Sequence, residues 1–119
     1  NVAGAQSKKE ARSAAKLVVN SPLVKTAIAG EDPNWGRIVM ALGKDPDVII
    51  QQDELSIKIN NHPIFLNGTP EIVDREKLKK AMLVSDIIID IRIGDGDFDA
   101  TAWGCDLTHG YIDINTAYN

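Results

Sequence analysis

Apolar and polar residues recur with two different periods along this chain. From about Lys8 to Val19 the apolar positions Ala11, Ala14, Ala15 and Val18 follow helical spacing, while Lys8, Lys9, Arg12 and Lys16 form a polar face. Ser7 and Glu10, three apart ahead of this stretch, have the spacing of a capping box, in which each side chain satisfies a backbone amide. Leu55, Ile57 and Ile59 instead alternate with Ser56, Lys58 and Asn60, the two-residue period of a half-buried strand. Asn60-Asn61 permits a tight turn, Ile64 to Leu66 reads as the returning strand, and Asn67-Gly68 ends it because both residues tolerate positive φ. The most regular alternation is Ile87, Ile89, Ile91 and Ile93 against Asp86, Ile88, Asp90 and Arg92, which predicts a strand at the centre of a sheet.

Punctuation residues divide what remains. Leu23 to Ala29, between Ser21-Pro22 and Gly30, reads as a short strand or a single helical turn, with the strand preferred. Asp32 as cap, Pro33 at the first helical position and Gly43 at a left-handed end predict a helix over Trp35–Leu42. Thr69-Pro70-Glu71 repeats that order ahead of an apolar stripe of Leu78, Ala81 and Met82, predicting a third helix. Gly94-Asp95-Gly96-Asp97 reads as a turn, Phe98 to Gly104 as a returning strand and Tyr111 to Asn115 as a last strand. The fold class expected is therefore α/β in the broad α+β sense: one domain over residues 1–119, a mixed sheet with about three helices packed on it.

Composition narrows the possible functions. Over 119 residues, 44% apolar and 25% charged content suits one soluble domain with a core of its own. A net charge of -4 with no basic stripe argues against nucleic acid as partner. No apolar run approaches the roughly 20 residues that cross a bilayer, and no signal-peptide pattern opens the chain, so a cytoplasmic location away from membranes is expected. Cys105 is the single cysteine, which excludes an intrachain disulfide and fits a reducing compartment. Position 1 is Asn rather than Met, which reads as a fragment or a processed product.

Candidate chemistry is sparse. Asp95-x-Asp97-x-Asp99 has the opening spacing of a calcium loop with Asp106 at the twelfth place, but Ala100 stands where the loop calls for Gly, and acidic turn residues facing water are the preferred account. No metal site is expected. Gly94-x-Gly96 lacks the third glycine and following helix of a nucleotide loop. Cys105 and His109 lie close enough in sequence to suggest a thiol and imidazole pair, but spacing alone supplies no orienting third group, and Cys105 reads as a small buried residue. His62, before Pro63, reads as a solvated turn residue. The octet Gly30-Glu31-Asp32-Pro33-Asn34-Trp35-Gly36-Arg37 concentrates special residues. It reads as a helix start with something packed against Gly36 and with Arg37 paired to Asp32 or Glu31, ahead of a site that holds a carboxylate through Arg37.

That octet, with Ser21-Pro22-Leu23-Val24-Lys25-Thr26-Ala27 before it, resembles a block of the ornithine acetyltransferases, the bifunctional glutamate N-acetyltransferases of arginine biosynthesis. Gly94-Asp95-Gly96, then Ala102-Trp103-Gly104-Cys105-Asp106-Leu107-Thr108, then Tyr111-Ile112-Asp113-Ile114-Asn115 with Tyr118 after it, is similar to the family's final segment. The resemblance covers essentially the whole chain and is least specific over Asp45–Lys80.

The resemblance implies an architecture related to the amino-terminal nucleophile hydrolases and a precursor that cuts itself between Ala and Thr. The new terminal Thr takes an acetyl group from N-acetylornithine and passes it to glutamate through an acyl-enzyme. Some members also accept acetyl-coenzyme A as donor, and no cofactor is needed. The terminal amine, with a pKa of about 8, can act as base for its own hydroxyl. The family pairs two α with two β chains, so this chain's expected partners are the α chain and the upstream part of the same precursor. Of the family's substrate-contacting positions one maps here, onto Asn115, whose amide can donate to a carboxylate and accept from an α-amino group. The cleavage junction and nucleophile are absent from these residues. The family's acidic substrate residue, in an Asp-Gly-Glu-Gly block, would fall just before Asn1, and its hydroxyl-bearing terminal residue would follow Asn119. No catalytic residue is therefore expected within the chain, which alone should be inactive. The alternatives are a non-catalytic binding or assembly module and a self-processing aminopeptidase of the same architecture.

Overall fold

The computed structural model describes residues 1–117; Tyr118, at the end of the family-like segment, lies outside the described residues. In chain order the elements are β1 (Val2–Ala5), α1 (Lys8–Val19), α2 (Pro22–Ala29), α3 (Trp35–Leu42), β2 (Ser56–Ile59), β3 (His62–Leu66), β4 (Thr69–Pro70), α4 (Arg75–Ala81), β5 (Ile89–Arg92), β6 (Phe98–Ala100) and α5 (His109–Ala117). The strands form one mixed sheet in the order β4-β3-β2-β5-β1-β6. β1 runs parallel to β5, and the other described pairings are antiparallel. The α+β class is as expected, with five helices among the described residues where about three were anticipated.

The alternating strands place one apolar face under the helices. Ile57, Ile59, Ile91 and Ile93 are buried and join Ala11, Ala14, Val18, Ile38 and Leu42 in a single core. Lys58 and Arg92, one residue out of phase, are exposed. α1 lies across β1 and β6 and also touches α3. The alanines on its inward face allow a close approach to the sheet.

β5 lies inside the sheet as its alternation predicts, and the Asn60-Asn61 turn joins β2 to β3 with φ of 46° and 66°. Those are the positive angles of a two-residue primed turn. Asn60 does more than turn. Its Nδ2 donates to Ala81 O at 2.8 Å and its Oδ1 accepts from Ile88 N–H at 2.8 Å, tying the end of α4 to the approach of β5.

Several elements differ from expectation. Leu23 to Ala29 belongs to helix α2 rather than a strand, because the Ser21 hydroxyl accepts from Val24 N–H at 3.3 Å and Pro22 presets the first turn. α3 is capped by Asn34, which accepts from Arg37 N–H at 3.0 Å, and not by Asp32, whose carboxylate instead receives Asn34 Nδ2. Gly43 closes α3 with φ of -75°, so its end is right-handed. Thr69-Pro70 forms an edge strand, where a missing N–H is tolerated, and α4 starts at Arg75 under an Asp74 cap. β6 stops at Ala100 rather than Gly104. Tyr111–Asn115 lies in helix α5 rather than a strand. A strand needs a neighbour to take its backbone bonds, whereas a helix satisfies them within itself, and α5 buries no residue.

Glu10 also departs from the capping-box expectation. Ser7 Oγ accepts from Glu10 N–H at 3.1 Å as predicted, but the Glu10 carboxylate accepts from Gln6 N–H at 3.0 Å and from Ile49 N–H at 3.1 Å. The acid is buried and pins the 45–50 connection to the start of α1.

Candidate functional site

The Gly94-Asp95-Gly96 turn is built into the sheet. A Cβ on Gly4, whose φ is 78°, would lie 2.0 Å from Gly94 O, and one on Gly96 would lie 1.9 Å from Ala5 O. Backbone passes against backbone here, so these positions have no room for a side chain. Asp95 is clamped over the seam: its Oδ1 accepts from Gln51 Nε2 at 2.9 Å and from Gln6 Nε2 at 3.2 Å, and its N–H donates to Gln51 Oε1 at 3.3 Å. The Gln51 hydrogen bond, chief among these influences, holds the Asp95 carboxyl below its ordinary value. Asp95, Asp97 and Asp99 are not gathered around a common point; among the described residues no group of three or more His, Cys, Asp or Glu could hold a metal ion.

The octet 30–37 is also an anchor. Arg37 Nη1 donates to Leu23 O at 2.9 Å and to Thr26 Oγ1 at 3.2 Å, so the guanidinium joins α3 to α2 rather than pairing with Asp32 or Glu31. Gly36 meets only Asn34 Oδ1, at 3.4 Å, which overturns the expected close packing. Trp35 stacks at a tilt on Phe65 with ring centroids 5.0 Å apart. That contact carries the helix start to the hairpin.

The two blocks that carry the family resemblance meet across an open groove of about 880 Å³. Val24 and Lys25 of α2 line one wall, the 82–89 segment lines another, and Trp103 to Asp106 close the far side. Leu107 N–H donates to Lys25 O at 3.2 Å, which lays the last block directly against the first, and a Cβ on Gly104 would lie 3.0 Å from Val19 Cβ at the end of α1. Asn1 lies at the groove. Its backbone nitrogen donates to Ile89 O at 2.8 Å, its Nδ2 donates to Asp90 at 2.8 Å, and its Oδ1 accepts from Thr101 Oγ1 at 2.8 Å.

The sequence-predicted site residues are more scattered. Asn115 is exposed on α5, and its Nδ2 donates to Tyr111 O at 2.7 Å within the helix. Cys105 is exposed at the groove, contrary to the buried position expected of it, and His109 opens α5. His62 starts β3 opposite Ile59, next to the hairpin turn. Sequence reasoning missed the Glu10 and Asn60 clamps. The Asn60-Asn61 pair signalled the turn, but the partners of the Asn60 side chain, Ala81 O and Ile88 N–H, are distant backbone atoms that no local pattern marks.

No described helix is long and apolar enough to cross a membrane. Comparison with known proteins supplies the wider context. The chain is 47% identical over 117 residues to the "Arginine biosynthesis bifunctional protein ArgJ" of Chlorobaculum tepidum, covering 98% of this chain and 29% of that protein. It is 41% identical over 118 residues to the protein of the same name from Bacillus cereus, covering 99% of this chain and again 29% of the relative. The crystal structure of arginine biosynthesis bifunctional protein ArgJ from Bacillus halodurans superposes with a TM-score of 0.92 at 36% identity, over 98% of this chain and 55% of that one. The fold is thus that of an ArgJ segment, with the amino-terminal nucleophile hydrolase-like architecture the resemblance implied. The chain spans about 29% of the length of these curated relatives. The ArgJ family model matches residues 1–119, and the chain belongs to the ArgJ family.

Proposed function

We propose that this chain is the distal part of the β chain of an ornithine acetyltransferase, which moves the acetyl group of N-acetylornithine to glutamate through an acyl-threonine in arginine biosynthesis. The observation that carries this reading is the family match over residues 1–119. The relatives' shared name, which specifies a bifunctional protein of arginine biosynthesis, agrees with it.

In this reading the terminal Thr lies in the upstream part of the precursor. Its amine removes the proton from its own hydroxyl, the alkoxide attacks the acetyl carbonyl, and ornithine leaves with that proton before glutamate takes the acyl group. This chain contributes a rigid sheet and, from its distal segment, Asn115. An amide there can donate to the substrate α-carboxylate through Nδ2 and accept from the α-amine through Oδ1, a pair of contacts no carboxylate or lysine supplies alone. The active assembly is two α and two β chains in the cytoplasm, with acetyl-coenzyme A as a second donor in the bifunctional members. The isolated chain, lacking the nucleophile, is inactive.

The test is acetyl transfer from N-acetylornithine to glutamate by the full-length parent, with Asn115→Ala beside it. Transfer by the parent and a loss of at least about tenfold in kcat/KM for the folded variant are expected, since one such hydrogen-bonding group contributes about 1.4 kcal/mol or more. A parent that cuts itself but transfers no acetyl group overturns the reading in favour of a hydrolase or an assembly module.

A further inference from the structure

We infer that the groove beside Asn1 is the slot for the segment that precedes Asn1 in the parent polypeptide, which enters it as an upstream continuation of β1. This rests on the chain being part of a longer protein and not on the reaction assigned to it.

Strand polarity and register carry the inference. β1 lies between β5, its parallel neighbour, and β6, its antiparallel one. The last rungs on the β5 side are Asn1 N–H to Ile89 O and Ile91 N–H to Asn1 O, both at 2.8 Å. In a parallel ladder the same strand residues donate and accept at every second position. The next rung therefore belongs to the residue two before Asn1, which accepts from Ile89 N–H and donates to Ile87 O. On the other side, Val2 faces Ala100, so continuing that register places the residue just before Asn1 opposite Ala102 and the one before it opposite Trp103. That path runs through the groove, whose walls include Ile87, Ile89, Ala102 and Trp103.

Two independent features agree. The alternation that predicts a strand over Ile87–Ile93 and the returning strand predicted from Phe98 to Gly104 both extend past β5 and β6, along the upstream direction of β1. Trp103 is 85% exposed where a strand beside it would cover the ring. The chemistry of the occupant follows from the walls. The residue immediately before Asn1 falls on the same face as buried Val2, towards Val18, Val24 and Ile28, and is apolar.

The experiment compares the 119-residue chain with the same chain extended by one strand's length, about five residues, of the parent's own preceding sequence. Amide hydrogen exchange at Ile89 is expected to slow at least about tenfold in the extended chain. In a Trp35→Phe background the Trp103 emission is expected to shift to the blue. A Gly-Ser extension of equal length should do neither. Equal exchange at Ile89 with and without the native extension overturns the inference. So does equal protection by Gly-Ser, or protection in the 119-residue chain that rises with concentration and assigns the slot to a second copy.

Discussion

Two regions of the molecule are held by the fold in opposite ways. The glycine seam of Gly4, Gly94 and Gly96 sits where two backbone segments pass within contact distance, under a clamp of Gln6, Gln51 and Asp95. The segment after Ala100 is laid over the surface: Trp103, Tyr111, Ile112 and Ile114 are 85%, 57%, 59% and 64% exposed, and α5 buries nothing. Both stretches are dense in unusual residues. Internal fit accounts for the density in the first and not in the second, where the large apolar side chains are exposed.

The largest expected effect tests the seam. Gly96→Ala places a methyl 1.9 Å from Ala5 O, and since that neighbour is backbone, the sheet end must move. A loss of upwards of about 4 kcal/mol in urea unfolding, or failure to fold, is expected. A loss below about 1 kcal/mol would remove the contrast between the two regions.

Asn60→Ala comes next. It removes two side-chain hydrogen bonds, at about 1 kcal/mol each, and leaves alanine at φ of 46°, at a cost of about another 1 kcal/mol. A destabilisation of about 3 kcal/mol in urea unfolding is expected. Asn60→Gly should recover the φ part alone, which separates the turn from the clamp.

Much of the seam side was legible because its causes are local. Alternating isoleucines specify β2 and β5, and the Asn-Asn pair specifies the hairpin turn, since period and positive φ are properties of the residues themselves. Leu23–Ala29 misled because a short apolar run has no period to separate strand from helix, and only the Ser21-Pro22 cap decides it. Thr69-Pro70 misled because the same cap-like order also suits a sheet edge. Arg37 and Glu10 were recognised as special, yet their partners, Leu23 O and Ile49 N–H, are backbone atoms that composition cannot mark. Tyr111–Asn115 was expected as a last strand, but a strand forms only beside another, and here the same residues close helical bonds. Asn115 was reached through the family resemblance, since nothing in its spacing marks it out.

Acid should weaken the seam more gently. With its folded-state pKa lowered, Asp95 contributes stability that is fully present above the ordinary carboxylate value of 3.8 and is lost as pH falls through the lower folded value. Asp95→Asn should therefore flatten the pH dependence of the urea midpoint below about pH 4 while leaving its slope at neutral pH unchanged. An unchanged acid limb would mean that the Gln51 and Gln6 contacts to Asp95 do not persist in solution.

The smallest effect sharpens the comparison most. Ile114→Ala alters a side chain that is 64% exposed on a helix with no buried residue, so the 119-residue chain should change by less than about 0.5 kcal/mol. If the segment after Ala100 is a contact surface for the rest of the polypeptide, the same substitution in the full-length parent should cost about 2 kcal/mol or more, the range for truncating a buried isoleucine. Equal, negligible costs in both contexts would leave the exposed apolar run without a packing role. A cost of 2 kcal/mol already present in the short chain would mean that α5 is buried in solution, and the two regions would then be held in the same way.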